Sequence, residues 1–487
     1  DNTVAGLTEG QTATATLTIT WDELDGSTDQ VTLPLSATVR TPQSVVYSST
    51  SDWTSEAVDS IDAVTINNGA TVTLDQNASV GSLTVNDATS PTTGTLLIDQ
   101  NFNLTIVGTL ALGAGTGAGI VNQSDGSLIA SNLTVNSSGT GDLSQYNLSG
   151  GTVSVSNSLT VKANGELNLT GGTFTTALVN TVTTDGTLLV NGGTFSKTIS
   201  GLSPIFSGSG SIKVQSGSFD LINGAATDLT TIQTTLFEVS GGAVDISGQA
   251  LLGANAEFRV IGDAATIDLQ QFSSGSTGTF NFVFDATGIS TINLTNWMHL
   301  SNISISVDGT SYTGAEGIFT LLDSSNYLSL FNTNNLTISG FNVQGKHAYL
   351  TQSQADEEEW VQLVVENLLA NNVTKEWMRS YGLPETNAAT QIDTDGDGTL
   401  NWEEFGAGTN PTDADSVFRS TQSAISGDQI TIHWNAVNGK TYALQHKADL
   451  TDLSWTTQLT NLLGVEPLSS VTIVLSGTKG FYQIAVE

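Results

Sequence analysis

The stretch "GTVSVSNSLTVKANGELNLTGGTF", residues 151–174, contains the pattern that decides the fold. Hydrophobic residues alternate within it with small polar residues, and glycine or asparagine separates one alternating phrase from the next. Alternation with a period of two predicts β-strands with one buried face, and glycine and asparagine provide the turn conformations. The stretch therefore predicts short strands joined by tight turns.

Phrases of this kind return from about Val64 to Leu294, at a spacing of roughly 7 to 15 residues. An antiparallel sandwich and a parallel β-solenoid would both produce such a pattern. Sandwich domains of about 100 residues are joined by linkers, yet proline occurs only 7 times in 487 residues. We therefore expect an all-β fold with a parallel β-helix, or solenoid, over residues 44–368.

The ends of a solenoid expose unpaired backbone groups, which the terminal segments could cover. "TATATLTITW" (12–21) and "QVTLPLSATV" (30–39) predict two strands within an N-terminal segment, residues 1–43. A lone hairpin is marginal in water. We expect it to cap the solenoid, to complete a domain lost upstream, or to pair with a neighbouring chain. The last alternative would make a homopolymer by head-to-tail strand pairing.

The charge balance excludes whole classes of partner. The chain has 12 Lys and Arg against 47 Asp and Glu, a net charge of -35, so nucleic acid and anionic membranes would be repelled. Cysteine is absent, which excludes disulfides and thiolate metal sites. No apolar run reaches the length of about 18 residues that a transmembrane helix needs. The chain starts at Asp1 without a basic leader, as expected for a mature chain or a fragment of a secreted precursor.

The most concentrated chemistry lies in "DTDGDGTLNWEE", residues 393–404, which matches the calcium-loop pattern D-x-D-x-D-G-x(5)-E at every position. In this pattern aspartates present carboxylate oxygens, glycine permits a sharp turn, and the last glutamate contributes both oxygens. Mg²⁺ fits less well because it retains its water. We therefore predict Ca²⁺ as the cofactor. The predicted ligands are Asp393, Asp395, Asp397, Thr399 through its backbone carbonyl, Asn401 and Glu404.

The composition changes around this loop. "VTKEWMRSYGL" (373–383) predicts a short helix with Thr374 as its N-cap, and "NWEEFGAG" predicts one more helical turn. These elements define a calcium-binding helix-loop-helix module at residues 369–416. Strand phrases then resume, so a small β-sandwich is expected at residues 417–487.

The text "YGLPETNAATQIDTDGDGTLNWEEFGAGTNPTDADS" resembles thrombospondin type-3-like and dockerin-like repeats, which carry EF-hand-type calcium loops near the C-termini of many large secreted bacterial proteins. In that family "GTNPTDADS" usually opens a second repeat. No second DGDG follows here, which puts Asp413 and Asp415 in doubt as ligands of a second ion. "ITIHW" and "FYQIAV" look like the small β-domain that often accompanies such repeats, and the solenoid text is similar to passenger regions of bacterial autotransporter adhesins.

This resemblance implies a secreted, calcium-stabilised protein of a bacterial cell surface or extracellular matrix, with a structural or adhesive role. A regulatory calcium sensor normally pairs two loops and opens a Met-rich groove. The chain has one such loop and 2 Met in total, which favours a structural ion. We expect it to lock the joint between the solenoid and the terminal domain.

Parallel β-helices also include polysaccharide lyases and hydrolases, so an enzyme is the main alternative. A lyase needs a basic proton acceptor. Between residues 41 and 345 the Lys and Arg side chains are Lys162, Lys197, Lys213 and Arg259. Each lies within a strand or turn phrase, so we predict no catalytic role for them.

A glycosidase needs two carboxylates about 5 to 10 Å apart. Asp245, Glu257 and Asp268 are candidates, but they alternate with hydrophobic residues as outward-facing side chains do. We therefore predict no catalytic and no organic cofactor-binding residues. The alternative function is a carbohydrate-active or carbohydrate-binding β-helix protein, with surface glycans as partners.

Overall fold

The protein is all-β, as predicted: a parallel β-solenoid is followed by antiparallel sheets. The structure is a computed structural model. It describes residues 12–22, 28–38, 41–86, 92–176, 181–199, 205–223, 229–273, 275–329, 332–355, 358–475 and 480–487. The chain divides into two compact units. The solenoid unit comprises residues 1–314, 319–339 and 350–363, and the C-terminal unit comprises residues 315–318, 340–349 and 364–487.

Two N-terminal strands lie where the alternating sequence predicts them. β1 (Thr12–Asp22) and β2 (Thr28–Thr38) pair in antiparallel register along their whole length. They form a two-stranded sheet of their own among the described residues. Residues 23–27, between the two strands, lie outside the described residues.

The solenoid strands follow in chain order. They are β3 (Ser44–Tyr47), β4 (Ser51–Asp52), β5 (Ala63–Ile66), β6 (Thr71–Thr73), β7 (Ala78–Val80), β8 (Ser82–Val85), β9 (Gly94–Ile98), β10 (Asn103–Leu112), β11 (Gly119–Gln123), β12 (Ser127–Val135), β13 (Ser144–Leu148), β14 (Thr152–Val161), β15 (Gly165–Leu169), β16 (Thr173–Thr176), β17 (Thr181–Thr184), β18 (Thr187–Ile199), β19 (Ile205–Ser207), β20 (Ser211–Asn223), β21 (Leu229–Ile232), β22 (Leu236–Val239), β23 (Gly242–Leu252), β24 (Glu257–Ile261), β25 (Ala265–Phe272), β26 (Thr279–Val283), β27 (Ile292–Leu294), β28 (Trp297–Met298), β29 (Ser304–Asp308), β30 (Gly317–Ser324), β31 (Tyr327–Leu328), β32 (Leu336–Ser339), β33 (Lys346–Ala355) and β34 (Glu358–Asn367).

These strands wind into about 10 turns of a parallel solenoid. β11 pairs in parallel with β9 of one neighbouring turn and with β13 of the other. β10 bends between Ile106 and Thr109, where its register against β12 shifts, so one strand serves two ladders of the same turn. Each inner turn therefore satisfies its backbone groups against two neighbours.

The interior of the solenoid is apolar because every second side chain of a strand points inward. In β13, positions 1, 3 and 5 are buried and the others are half-buried. Phe174, Phe195 and Phe219 stack on successive turns, with ring centroids 5.8 and 5.0 Å apart. Phe237 meets Phe219 edge-on at 5.1 Å. Such contacts add about 0.5–1.5 kcal/mol each beyond simple burial.

Polar ladders and glycines set the spacing of the turns. The Asn147 amide donates to Asn122 of one neighbouring turn and accepts from Asn168 of the other, both at 2.9 Å. At Gly119 an added Cβ would lie 2.1 Å from the Val85 carbonyl oxygen. A side chain at this position does not fit between turns.

The C-terminal unit contains two short α-helices and two antiparallel sheets among its described residues. The helices are α1 (Lys375–Ser380) and α2 (Asn401–Ala407), and the strands are β35 (Ser420–Ser426), β36 (Gln429–Asn435), β37 (Thr441–Lys447), β38 (Thr456–Leu463), β39 (Leu468–Val474) and β40 (Phe481–Val486). The sheet orders are β35-β36-β39 and β38-β37-β40. Trp434 of one sheet and Tyr442 of the other are buried in a shared apolar cluster, which makes a small β-sandwich.

Short 3₁₀ turns complete the secondary structure of the described residues. They lie at Trp53–Ser55, Thr333–Asn335, Phe341–Gln344, Ala370–Asn372 and Ala389–Gln391. α1 has 6 residues and α2 has 7. Across the described part of the chain, no helix has the length and apolar character needed to cross a membrane.

Candidate metal centre

The acidic loop lies between the 3₁₀ turn Ala389–Gln391 and helix α2, above a small apolar core. Val373 and Met378 are fully buried in this core, with Trp402 of α2 packed against them. α1 starts where the sequence predicts it, because the Thr374 hydroxyl accepts a hydrogen bond from the Trp377 N–H at 3.2 Å. Both predicted helical segments are confirmed, although twelve residues separate the end of α1 at Ser380 from the start of the loop at Asp393.

Two glycines give the loop its sharp turns. Gly396 has φ +83° and Gly398 has φ +98°, both in the left-handed region that favours glycine. An added Cβ would meet no atom within 4 Å at either position. The requirement for glycine is therefore conformational and not steric.

Backbone N–H groups of the loop orient the aspartates. Gly396 and Gly398 donate to the two carboxylate oxygens of Asp393 at 2.8 and 2.9 Å. Asp397 donates its N–H to Asp395 Oδ1 at 3.1 Å. These bonds fix the carboxylates so that one oxygen from each aspartate lies within 4.8 Å of the others. Among the described residues, this is the one such group of three or more His, Cys, Asp or Glu.

Thr399 and Asn401 continue the loop toward α2. The Thr399 N–H donates to Asp397 Oδ1 at 2.6 Å. Asn401 is buried, and its side-chain NH₂ donates to the Ala389 carbonyl at 2.8 Å. The amide oxygen of Asn401 is buried and has no hydrogen-bond partner in the described chain.

Glu404 lies fully buried on α2. Its Oε1 accepts a hydrogen bond from the Thr409 hydroxyl at 3.2 Å. Burial raises the pKa of Glu404 to about 7, and the charges of Asp395, Asp397 and Asp393 act in the same direction. Glu404 is not part of the close group of oxygens that the three aspartates form. The loop thus concentrates negative charge around a carboxylate that has little contact with water.

The donor set fits a hard cation. Four buried oxygens have no hydrogen-bond partner in the described chain: Asp395 Oδ2, Asp397 Oδ2, Asn401 Oδ1 and Glu404 Oε2. Buried polar atoms of this kind are costly unless they are paired. Ca²⁺ takes about six to eight oxygen ligands from carboxylates and carbonyls, and such atoms are what the loop presents.

Asp413 and Asp415 lie outside this group. Both are exposed, and the Asp415 N–H donates to Asp413 Oδ1 at 3.2 Å. No close cluster of metal-binding side chains forms around them in the described residues. Their role in a second ion site stays unsupported.

The sequence pattern did not reveal the residues that hold the ligands in place. Ala389 precedes the loop and fixes Asn401 through its carbonyl, and Thr409 follows α2 and bonds Glu404. Lys440 of the sandwich donates to the Phe405 and Gly406 carbonyls at 3.3 and 2.8 Å, at the C-terminal end of α2 where a cation is favourable. Loop spacing contains no signal for contacts of this kind, since they depend on tertiary packing.

Lys162 and Arg259 of the solenoid make contacts between neighbouring turns. Lys162 donates to the Ser137 carbonyl at 2.6 Å. Arg259 bonds Glu257 at 2.7 Å and Glu238 of the neighbouring turn at 3.2 Å. Both groups are therefore engaged in holding turns together.

Of the three carboxylates considered for a glycosidase, Asp245 and Asp268 lie opposite each other on neighbouring turns, and Glu257 lies on a different ladder. Glu257 pairs with Arg259 on one ladder, whereas Asp245 stacks between Asp220 and Asp268 on another. Partial burial, followed by the charges of Asp220 and Asp268, raises the pKa of Asp245. These aspartates form an outward column along successive turns.

The chain matches no protein-family model, no curated protein and no solved structure. The likeness of residues 381–416 to thrombospondin type-3-like and dockerin-like repeats therefore rests on the loop residues themselves.

Proposed function

We propose that this is a calcium-stabilised structural or adhesive protein of the extracellular space or bacterial cell surface, without catalytic activity. The observation that carries the proposal is the loop at residues 393–404. Its three aspartate oxygens lie within 4.8 Å of each other, and buried oxygens of Asp395, Asp397 and Glu404 lack partners in the described chain. A divalent ion would neutralise these charges and tie α2 to the preceding segment.

The rest of the molecule supports a structural role. Ladders of parallel strands satisfy the backbone of the solenoid, and its core is a continuous apolar stack. Arg259 and Lys213 form ion pairs with Glu238 of an adjacent turn. Such contacts between turns are typical of a scaffold, and they engage Lys213 and Arg259 in ion pairs.

Calcium titration by calorimetry tests the proposal. We expect binding of one Ca²⁺ in the range of extracellular modules, roughly 10⁻⁴ to 10⁻³ M or tighter. At 100 times the Kd, the ion adds about 2.7 kcal/mol to the unfolding free energy of the C-terminal unit. Chelation should therefore accelerate proteolysis within residues 370–416.

Matched variants locate the ion. Asp395→Asn should abolish binding, whereas Asp413→Asn, an exposed aspartate beyond α2, should retain it. Equal cleavage with and without chelator, or unchanged calcium affinity in Asp395→Asn, would count against the proposal.

We extend the proposal to assembly through the N-terminal strands. β1 and β2 form a two-stranded sheet without a third strand among the described residues. Such a sheet is marginal alone, and its edges offer backbone groups to a neighbouring chain. Negative-stain micrographs of calcium-loaded protein should then contain filaments, and uniform monomers at high concentration would reject assembly.

A further inference from the structure

A groove of about 600 Å³ opens on the solenoid unit where its last turns lie. This volume is in the range of small-ligand sites. Asn293, Thr295, Thr320, Asp323, Trp360 and Gln362 are among the residues that line it. None of them belongs to the metal centre.

Successive strands build the groove. Asn293 of β27 lies opposite Asp323 of β30 in parallel register, and β30 pairs in turn with β34. In β34, Val361 and Leu363 are fully buried in the core. Trp360 and Gln362 occupy the alternate positions and line the groove from the other side of the strand. A tryptophan thus stands where alternation favours a small polar residue.

The groove presents hydrogen-bonding groups that are held in place. Gln362 donates through its side-chain NH₂ to the Thr320 hydroxyl at 3.2 Å, and Asn293 donates to Asp268 at 2.8 Å. Neither amide oxygen accepts a hydrogen bond from the described residues, and Asp323 is exposed. Fixed acceptors beside an aromatic ring suit a ligand with several hydroxyl groups and an apolar face.

The charge around the groove excludes acidic ligands. Asn293 and Asp323 continue an outward column that includes Asp220, Asp245 and Asp268 on the preceding turns. The whole chain has a net charge of -35. A uronic acid or a sulfated sugar would be repelled at this face.

We propose that this groove binds pyranose units of a non-acidic glycan, with one sugar ring stacked on Trp360 and its hydroxyls bound by Asp323, Asn293 and Gln362. A purely apolar ligand would leave the carboxylate and the amide oxygens without partners, which is costly. The proposal names the ligand class for the adhesive role and rests on that role. It assigns the groove to binding and not to catalysis.

The test uses the calcium-loaded full chain and defined hexasaccharides. Calorimetry with a neutral glucose hexamer, an N-acetylglucosamine hexamer, a glucosamine hexamer and an acidic galacturonic acid hexamer compares four classes of glycan. We expect saturable binding of at least one of the first three and none of the acidic hexamer. Binding of none of the first three, or of the acidic hexamer alone, would overturn the proposal.

Variants at Trp360 provide the matched comparison. Trp360→Ala should weaken binding by about tenfold or more, whereas Trp360→Phe, which retains an aromatic face, should stay within about threefold of the wild type. Trp455→Ala is the control, because Trp455 is a half-buried tryptophan of the sandwich that packs on Lys447 at 5.1 Å. It should bind glycan as the wild type does. If Trp360→Ala and the wild type bound glycan with equal affinity, Trp360 would not be part of a glycan site and the proposal would be wrong.

Calcium titration of the same samples separates this proposal from the proposed function. If the wild-type protein binds calcium but no glycan, the proposal of glycan binding in the groove is wrong and the proposed calcium site is unaffected. Glycan binding that persists in Asp395→Asn while calcium binding is lost supports the groove and leaves the metal centre to its own test. Circular dichroism confirms that each variant is folded before its affinity is compared.

Discussion

The solenoid and the acidic loop at residues 393–404 differ in how completely their buried polar groups are paired. In the solenoid, neighbouring turns pair the backbone groups, and aromatic and aliphatic side chains fill the interior. In the loop region, a small core around Val373 and Met378 supports four buried oxygens without partners in the described chain. The solenoid thus satisfies its backbone polar groups by its own contacts, whereas the loop region leaves oxygens that a bound cation would satisfy.

The two regions also differ in the surroundings of their buried charged side chains. Lys197 lies within the solenoid, only 2% exposed, and burial lowers its pKa to about 8. Glu404 is as deeply buried, but it lies on α2, and the charges of Asp395, Asp397 and Asp393 add to the effect of burial on its pKa. A buried lysine is a cost to the folded state, while clustered carboxylates can be offset by binding an ion.

The two regions also require glycine for different reasons. Gly119 of the solenoid is needed because a Cβ would collide with the Val85 carbonyl. Gly398 of the loop has open space around it but a φ of +98°. Close stacking dictates one glycine and turn geometry dictates the other.

The largest expected effect comes from the aromatic core of the solenoid. Phe219→Ala removes the ring that contacts Phe195 and Phe237 and should lower the unfolding free energy by about 3–5 kcal/mol. Urea unfolding followed by far-UV circular dichroism measures the loss. Val107→Ala, at a position 56% exposed, is the control and should cost far less. If the loss of unfolding free energy in Phe219→Ala depended on the presence of a chelator, the stability of the solenoid would not be independent of the loop.

The next effect depends on pH and on Lys197. Its pKa is about 8 in the fold and 10.5 when unperturbed. Because the unfolded chain holds the proton more tightly, the unfolding free energy should rise as pH increases from 8 to 10.5, by up to about 3 kcal/mol. Lys197→Met should remove this rise and be more stable than the wild type at pH 7.

A surface lysine is the control for that measurement. Lys213 is partly exposed and pairs with Glu238 at 3.7 Å, so Lys213→Met should retain the rise between pH 8 and 10.5. Identical pH profiles for the wild type and Lys197→Met would show that the buried amine is not a cost to the solenoid.

The smallest expected effect lies in the loop. Gly398→Ala should destabilise the calcium-loaded C-terminal unit by about 1–2 kcal/mol, because the alanine must adopt a left-handed conformation. Gly406→Ala is the matched control, since it also has room for a Cβ but lies within α2. It should be neutral or stabilising by up to about 1 kcal/mol. Thermal unfolding in saturating calcium compares them, and equal losses would contradict the conformational explanation.

The fold class could be predicted because its signals are local and repeated. Alternation in phrases such as "GTVSV" specifies strands, and the scarcity of proline favours one continuous solenoid over separate sandwiches. A further signal was available in "GGTF", which occurs at residues 171–174 and 192–195 and ends in the stacked Phe174 and Phe195. Its spacing of one turn predicts that these rings meet.

The candidate ligands could be predicted for the same reason. The aspartates of residues 393–397 are two positions apart, so the turn of the loop alone brings their oxygens together. The burial of Glu404 and its bond to Thr409 could not be predicted, because they depend on how α2 packs. Nor could the groove, because Asn293, Asp323 and Trp360 are distant in the chain.

Local pattern was thus sufficient for the strands, the solenoid class and the spacing of the acidic loop, since each depends on residues a few positions apart. The packing of turns was needed to stack Phe195 between Phe174 and Phe219, to bury Lys197, and to place Trp360 beside Asp323. Those pairings follow from the register between turns more than twenty residues apart. Strand alternation leaves this register open, and close packing of the interior selects it.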